Sequence, residues 1–80
     1  MKKYKVKFGS ANNAALFVTK CGEYNFDVDL QYGRYLLDGA SILGVMGISH
    51  DRECIVIAHT DDDELLKKFE KDISLWIVRE

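Results

Sequence analysis

The sequence contains no proline, only two cysteines and no strong excess of charge of either sign. Cys21 and Cys54 form no CxxC pair, which argues against a cysteine zinc site. The net charge of −2 argues against a dedicated nucleic-acid-binding domain, because such domains usually carry a clear basic excess. No apolar run approaches the roughly 18 residues that a membrane span needs. We therefore expect neither nucleic acid nor a membrane among the partners.

The beginning of the chain shows no export signal. Lys2, Lys3 and Lys5 supply basic charge, but no apolar segment of the kind found in a signal peptide follows them. Without export the two thiols are expected to stay reduced, and we predict a cytoplasmic protein. Because 80 residues leave room for one core, we expect a single domain over residues 1–80.

The spacing of apolar residues predicts seven elements in the order β-α-β-β-α-β-α. Alternating apolar residues predict strands at 4–8, 26–30 and 35–37, and a β-branched apolar run predicts an interior strand at 53–59. Gly33 is able to take a positive φ, which suits a hairpin turn at 31–34. Helical spacing predicts a first helix at 12–21, a short weak second helix at 41–48 and a third after the acidic run at 61–64. The apolar stripe of the third helix comprises Leu65, Leu66, Phe69, Ile73, Trp76 and Ile77.

The alternation within the strands predicts the layering. A strand that exposes every second side chain lies in a sheet with one covered face and one open face. The helices are then stacked on the covered face, which gives an α+β open-faced sandwich. Asp27 and Asp29 of the second strand would offset the lysines of the first strand if both line the same face.

Two segments resemble HPr, the small phosphocarrier of the bacterial sugar phosphotransferase system. Residues 41–46 read Ser-Ile-Leu-Gly-Val-Met and are similar to the Ser-Ile-Met-Gly-Val-Met segment of HPr. Residues 14–18 read Ala-Ala-Leu-Phe-Val and are similar to Ala-Ala-x-Phe-Val in its first helix. The resemblance implies a βαββαβα fold, with a four-stranded antiparallel sheet and three helices on one face. It also implies phosphoryl transfer through a histidine just ahead of the first helix.

The family motif at that histidine, His-x-Arg-Pro-Ala-Ala, matches residues 10–15 only in its two alanines. Ser10 stands where the histidine is expected, Asn12 where the arginine is expected and Asn13 where the proline is expected. A serine without a base is a poor nucleophile, and its phosphate ester is a stable product rather than a relay. Loss of the arginine also removes a bidentate phosphate clamp. The resemblance therefore predicts a degenerate site at Ser10 and Asn12, no catalytic residue and no enzymatic activity.

Neither histidine of the chain lies in this segment. His50 precedes Asp51 and Arg52, and His59 ends the predicted fourth strand. Two histidines so far apart in sequence are poor indicators of a metal site, and the acidic run at 61–64 lacks the alternating ligands and the glycine of a calcium loop. We predict no metal and no cofactor.

Ser41 is the candidate phosphorylation site. The resemblance implies this role because the matching serine of Gram-positive HPr proteins is phosphorylated by an ATP-dependent kinase, and the product binds a transcriptional regulator. The catabolite-repression HPr proteins keep this serine without the histidine, as this chain does. Ala40 departs from the family, which usually has a basic residue there. The alternative is that Ser41 only caps the second helix.

Three apolar residues beside Ser41 form the candidate partner-binding surface: Ile42, Leu43 and Met46. The resemblance implies that apolar residues here dock partner proteins. The alternative is that some of them pack on the sheet, although Val45 and Ile48 are expected to point inward first.

The sequence thus predicts a non-catalytic HPr-like regulatory or protein-binding module. Its partner would be a kinase, a transcriptional regulator or a component of the phosphotransferase system. A first alternative is a working phosphocarrier in sugar transport that uses Ser10, or a histidine brought close by the fold, as a non-standard acceptor. A second is a diverged paralogue that keeps only the scaffold.

Overall fold

The computed structural model describes residues 1–48 and 51–79, and these form an α+β fold in the predicted order. Each predicted element is present, with bounds that differ by a few residues. The strands are β1 (Lys2–Val6), β2 (Asp27–Tyr32), β3 (Tyr35–Asp38) and β4 (Cys54–His59). The helices are α1 (Ala11–Gly22), α2 (Ile42–Met46) and α3 (Asp63–Ile73), followed by a 3₁₀ helix at Ser74–Trp76.

The four strands form one antiparallel sheet in the order β1-β4-β2-β3. β4 is an interior strand, as its β-branched run predicts, and Val56 lies between Tyr4 of β1 and Leu30 of β2. The predicted hairpin joins β2 to β3, with Gly33 at φ +60°. A glycine at the first central position of a two-residue loop is typical of a type II′ turn.

The core lies on one face of the sheet, beneath the helices. Alternate strand residues such as Val6, Leu30 and Val56 are fully buried there, because successive side chains of a strand point to opposite faces. Each helix contributes a buried residue to the same cluster: Phe17 from α1, Val45 from α2 and Phe69 from α3. The other face carries Lys3, Lys5, Asp27 and Asp29, so the sandwich is open on that side.

Two of the differing boundaries lie where residues 76–78 meet β1. β1 ends at Val6, and Phe8 is buried beyond the strand. The Lys7 N–H donates to the Trp76 carbonyl at 2.9 Å, and Val6 bridges to Ile77. α3 therefore ends at Ile73, since a helix continued through Ile77 could not place Ile77 beside β1. The sequence pattern missed this because Trp76 and Ile77 keep helical spacing although they lie outside the helix.

Each α-helix begins after a residue whose side-chain oxygen accepts a hydrogen bond from a backbone N–H of the first turn. Asp62, within the acidic run, caps α3, and its Oδ1 accepts from the backbone N–H of Glu64 at 3.0 Å and of Leu65 at 3.2 Å. Two further carboxylates, of Asp63 and Glu64, lie in the first turn, where the positive end of the helix dipole favours them. Both α1 and α2 begin after a serine, and these two serines belong to the candidate site.

Candidate functional site

Ser10 is the residue immediately before α1, the position at which the resemblance implies a phosphoryl-carrying histidine. Its backbone is extended, with φ −158° and ψ 159°, and its Oγ accepts from the Asn13 N–H at 3.2 Å. This is the geometry of a helix cap, in which a serine oxygen satisfies one of the free N–H groups of the first turn. Ser10 is exposed, and its hydroxyl already has a structural partner.

Asn13 fixes the segment that leads into α1. Its Nδ2 donates to the Phe8 carbonyl at 2.8 Å, across the turn at Gly9, whose φ is +78°. The glycine is needed there because other residues rarely adopt a positive φ. Asn12, at the position of the family arginine, is exposed. The segment is thus ordered by amide and hydroxyl hydrogen bonds and carries no cationic side chain from Ser10 to Thr19.

His59 lies at the far end of the sheet from Ser10. It follows Ala58, which pairs with Lys2 at the start of β1, whereas Ser10 follows the other end of that strand. The four residue steps of β1 from Lys2 to Val6 span roughly 13 Å, so His59 and Ser10 lie near opposite ends of this strand. The His59 Nε2 is 2.7 Å from Asp29 Oδ2 on the open face. His50 lies outside the described residues.

Ser41 caps α2 and is half-buried. Its Oγ lies 3.4 Å from the Gly44 N–H, which is a long hydrogen bond, and its own N–H donates to the Asp38 carbonyl at 3.0 Å. The Asp38 carboxylate accepts from the Ala40 N–H at 2.9 Å, so a negative charge lies close to the turn that presents Ser41. The structure therefore shows Ser41 as the N-cap of α2, which is the alternative role considered for this serine.

Beside Ser41, α2 presents apolar side chains to solvent. Ile42 is 48% exposed, Leu43 86% and Met46 37%, whereas Val45 is fully buried and Ile48 is half-buried against the core. The first three therefore present apolar area to solvent, Leu43 most of all, and the inward assignment of the last two is correct. A patch of this kind on a small protein is typical of a protein-binding surface.

Leu16 was missed as a candidate member of this surface. It lies on α1, which packs against α2, and is 52% exposed. The signal in the sequence is that Leu16 falls outside the helical stripe formed by Ala14, Phe17, Val18 and Cys21, which leaves a large apolar side chain with no place in the core.

A shallow apolar groove of about 350 Å³ lies on the other side of Leu43. The hairpin of β2 and β3 forms one wall with Tyr32, Tyr35 and Leu37, and α2 with its C-terminal turn forms the other with Leu43 and Ile48. The groove therefore continues the exposed apolar surface of α2 toward the edge of the sheet.

An acidic cavity of about 450 Å³ lies on the open face and is lined by Asp27, Asp29, Asp38 and His59. Asp29 and Asp38 are register partners on neighbouring strands. The lysines of β1 do not reach this pair by direct strand pairing, because β4 lies between β1 and β2. The described residues include no cluster arranged to hold a metal ion.

Both cysteines are buried, and burial raises the pKa of each thiol. The pKa of Cys21 rises to about 12, first because of desolvation and then because of the nearby Asp38 charge. Desolvation also raises the pKa of Cys54. Since the thiolate is the reactive form, neither side chain is a nucleophile at neutral pH.

No helix among the described residues has the length and apolar character to cross a membrane. No family model matches the sequence, and no curated protein sequence matches it either. The fold, however, is similar to three solved structures of HPr and its relatives.

HPr-C-His from Thermoanaerobacter tengcongensis matches with a TM-score of 0.72 and 26% identity, over 92% of each chain. The phosphocarrier protein HPr from Bacillus anthracis matches in fold, with a TM-score of 0.66 and 22% identity over 90% of this chain and 93% of that one. The catabolite repression protein Crh of Bacillus subtilis, described as a dimer with a swapped domain, matches with a TM-score of 0.63 and 26% identity over 92% of this chain and 88% of that one. This chain therefore has the fold of HPr and Crh, and the likeness extends over nearly the full length of each of these structures.

Proposed function

We propose that this HPr-like protein is a non-catalytic regulatory module that acts by binding another protein and is switched by phosphorylation of Ser41. The partner is a kinase, a transcriptional regulator or a phosphotransferase-system component, and the two proteins bind in the cytoplasm. The observation that carries the proposal is that Ser41, in the segment that resembles HPr, lies beside exposed apolar residues, while Ser10 Oγ serves as the cap of α1.

The first support is chemical. A phosphoryl relay needs an acceptor that is largely unprotonated near pH 7 and releases the group readily, which imidazole does with a pKa of about 6.5. Within residues 1–48 and 51–79 no base hydrogen-bonds to the Ser10 hydroxyl, which accepts a hydrogen bond from the Asn13 N–H in the first turn of α1. Asn12 supplies no positive charge to hold a phosphate.

The second support is the position of Ser41. A phosphate on its Oγ would lie at the beginning of α2, where free N–H groups favour negative charge. The Asp38 carboxylate, which accepts from the Ala40 N–H, is a like charge beside this turn and would oppose the phosphate, and Ala40 provides no compensating cation. The added charge is therefore available to a basic site on a partner, because no basic residue beside it in the chain neutralises it.

The third support is the apolar surface formed by Leu16, Ile42, Leu43 and Met46, defined here as the α1–α2 surface. A partner that contacts Ser41 also contacts Ile42 and Leu43, which follow it in the chain. Phosphorylation would then change the charge at the border of an apolar contact, which alters the choice of partner more than the fold.

The test is incubation with ATP and an HPr kinase, followed by measurement of the intact mass. We expect the wild-type chain and the Ser10→Ala variant to gain one phosphoryl group, and Ser41→Ala to gain none. No gain by the wild type would remove the regulatory version and leave an unswitched binding module. A gain that persists in Ser41→Ala would place the modification elsewhere and contradict the proposal.

A second assay separates this function from a working phosphocarrier. Phosphoenolpyruvate and enzyme I, the donor system of the family, are incubated with the chain, and an acid-labile phosphohistidine is sought. We expect none. Detection of this adduct would overturn the non-catalytic assignment, because it requires a histidine that relays the phosphoryl group.

A further inference from the structure

β3 (Tyr35–Asp38) forms one edge of the sheet and is unusually apolar for an exposed strand. It pairs with β2 on one side, and no strand among the described residues pairs with its other side. Tyr35 is 63% exposed and Leu36 is 61% exposed. Natural edge strands are protected from pairing with another chain by lysine, other charged side chains, proline, a bulge or short length. β3 has no lysine or proline, although it has only four residues and ends in Asp38.

The backbone of β3 dictates which residues face outward. In a two-residue hairpin the residues that flank the turn exchange hydrogen bonds, so Tyr35 and Leu37 direct their backbone groups toward β2. The Gly39 N–H continues this alternation by donating to the Val28 carbonyl at 2.8 Å. The N–H and carbonyl groups of Leu36 and the N–H of Asp38 consequently face away from the sheet.

We propose that β3 pairs antiparallel with β3 of a second copy of this chain, on a two-fold axis at Leu36. Backbone hydrogen bonds between the two copies join residues whose backbone groups face away from β2. With the two-fold axis at Leu36, Leu36 pairs with Leu36, and Arg34 of each copy lies opposite Asp38 of the other. The two four-stranded sheets then join into one sheet of eight strands. This proposal goes beyond the function proposed above and does not depend on it.

Charge selects this register among those that the hydrogen bonds allow. Asp29 and Asp38 are directly paired like charges, which is unfavourable in a sheet, and they line the acidic cavity. Within residues 1–48 and 51–79, Arg34 has no carboxylate partner, and it extends from the turn beside β3. In the dimer each acidic cavity gains the guanidinium of the second copy, so two opposite-charge pairs form.

The apolar groove supplies the second contact. The same register places Tyr35 of one copy opposite Leu37 of the other, on the face of the sheet that carries α2. Leu37 lines the groove together with Leu43 and Ile48. The ring of Tyr35 from the second copy therefore covers apolar area that is exposed in the single chain. Aromatic and aliphatic cross-strand pairs of this kind stabilise sheets.

The opposite edge of the sheet explains why pairing would stop at two copies. The end of the chain covers part of β1, because the Val78 N–H donates to the Lys5 carbonyl at 2.8 Å and the Lys7 N–H donates to the Trp76 carbonyl at 2.9 Å. β1 also carries Lys2, Lys3 and Lys5, which disfavour a further strand. A contact that uses the same strand on both copies is closed by its two-fold symmetry.

The test is sedimentation analysis of the wild type and charge variants at concentrations up to about 1 mM, a range that detects even weak dimers. We expect the wild type to form dimers. Arg34→Asp should weaken association at least tenfold, because it turns two attractive pairs into repulsive ones. Asp38→Arg should do the same, and an equimolar mixture of the two variants should associate again, since both new pairs are then attractive.

A backbone variant keeps the proposal testable if Asp38→Arg fails to fold, since Asp38 also accepts from the Ala40 N–H. Leu36→Pro removes an outward N–H that β2 does not use and should abolish dimers. Leu36→Val keeps that N–H and is the matched control. A wild type that stays monomeric throughout would overturn the proposal. So would a dimer that is unaffected by both Arg34→Asp and Leu36→Pro, because it would form through another surface.

Discussion

Asn13 donates its side-chain Nδ2 to the carbonyl oxygen of Phe8 at 2.8 Å, across the turn that leads into α1. The same residue donates its backbone N–H to Ser10 Oγ. A proline, which the family motif has at this position, can make neither bond, because it has no backbone N–H and no side-chain amide group. The segment that holds the reactive histidine in the family is therefore held here by a different set of hydrogen bonds.

The first prediction concerns this pair. Asn13→Ala removes the bond to Phe8 and should lower the free energy of unfolding by about 1–2 kcal/mol, since the carbonyl loses a partner in a half-buried site. Urea denaturation measures the change. Asn12→Ala is the control, because Asn12 is exposed, and should change stability by less than about 0.5 kcal/mol. Equal losses in both variants would show that the Asn13–Phe8 bond is unimportant.

The second prediction restores the family chemistry at the start of α1. Ser10→His loses the helix cap and should cost about 1 kcal/mol of stability. Combined with Asn12→Arg, it should accept a phosphoryl group from phosphorylated enzyme I, because an imidazole and a phosphate clamp are then both present. The measurement is the yield of acid-labile phosphoprotein. Ser10→His alone should give much less, and an equal yield from the wild type would contradict the proposed function.

The third prediction compares two exposed leucines. Leu43 is 86% exposed on α2 and Leu75 is 80% exposed on the 3₁₀ helix, so an aspartate at either position should change stability by less than about 0.5 kcal/mol. If the α1–α2 surface docks the kinase, Leu43→Asp should lower kcat/KM for phosphorylation of Ser41 at least tenfold. Leu75→Asp should leave it unchanged. Equal rates for both variants would remove Leu43 from the docking surface.

The fourth prediction follows from the buried thiol of Cys21. Its pKa is raised to about 12 by desolvation and by Asp38, against about 8.5 in an unfolded chain. The folded state therefore holds a proton that the unfolded state releases, so stability is fully present below about pH 8.5 and is lost as the pH rises toward 12.

The expected loss from Cys21 is about 2 kcal/mol between pH 8 and pH 10, measured as the free energy of unfolding in urea. Cys21→Ala should be less stable at pH 8 because it leaves a cavity, but its stability should decline less steeply with pH. Cys54 adds to the slope in both proteins, since its pKa is also raised. Parallel declines in the two proteins would contradict the assignment to Cys21.

The fifth prediction concerns the turn before Ser41. A Cβ at Gly39 would lie 2.9 Å from the Val28 carbonyl oxygen, which belongs to the backbone of β2 and cannot move freely. Gly39→Ala should therefore cost about 1–3 kcal/mol in thermal or urea unfolding. Gly22→Ala is the matched control: nothing lies within 4 Å of its Cβ, and alanine favours the helix by up to about 1 kcal/mol. A neutral result at Gly39 would show that the turn readjusts.

Local patterns in the sequence predicted the four strands and three α-helices, because alternation and helical spacing indicate which side chains a strand or helix buries. They failed at Trp76 and Ile77, where helical spacing continues past the end of α3. The hydrogen bonds of Lys7 and Val78 with the opposite segment decide that boundary, and no local pattern records a partner about 70 residues away. The inward assignment of Val45 was correct because α2 offers only one face to the sheet.

The sequence by itself determined the fold class and the family resemblance, since both depend on residue type and order, and the resemblance predicts a degenerate site at Ser10. The tertiary structure alone decided that His59 is far from Ser10, that Ile42, Leu43 and Met46 are exposed, and that β3 lies at an edge of the sheet. Strand order causes this division. Placing β4 between β1 and β2 sets which edges stay open and which charges meet, and that arrangement comes from long-range packing rather than from any one segment.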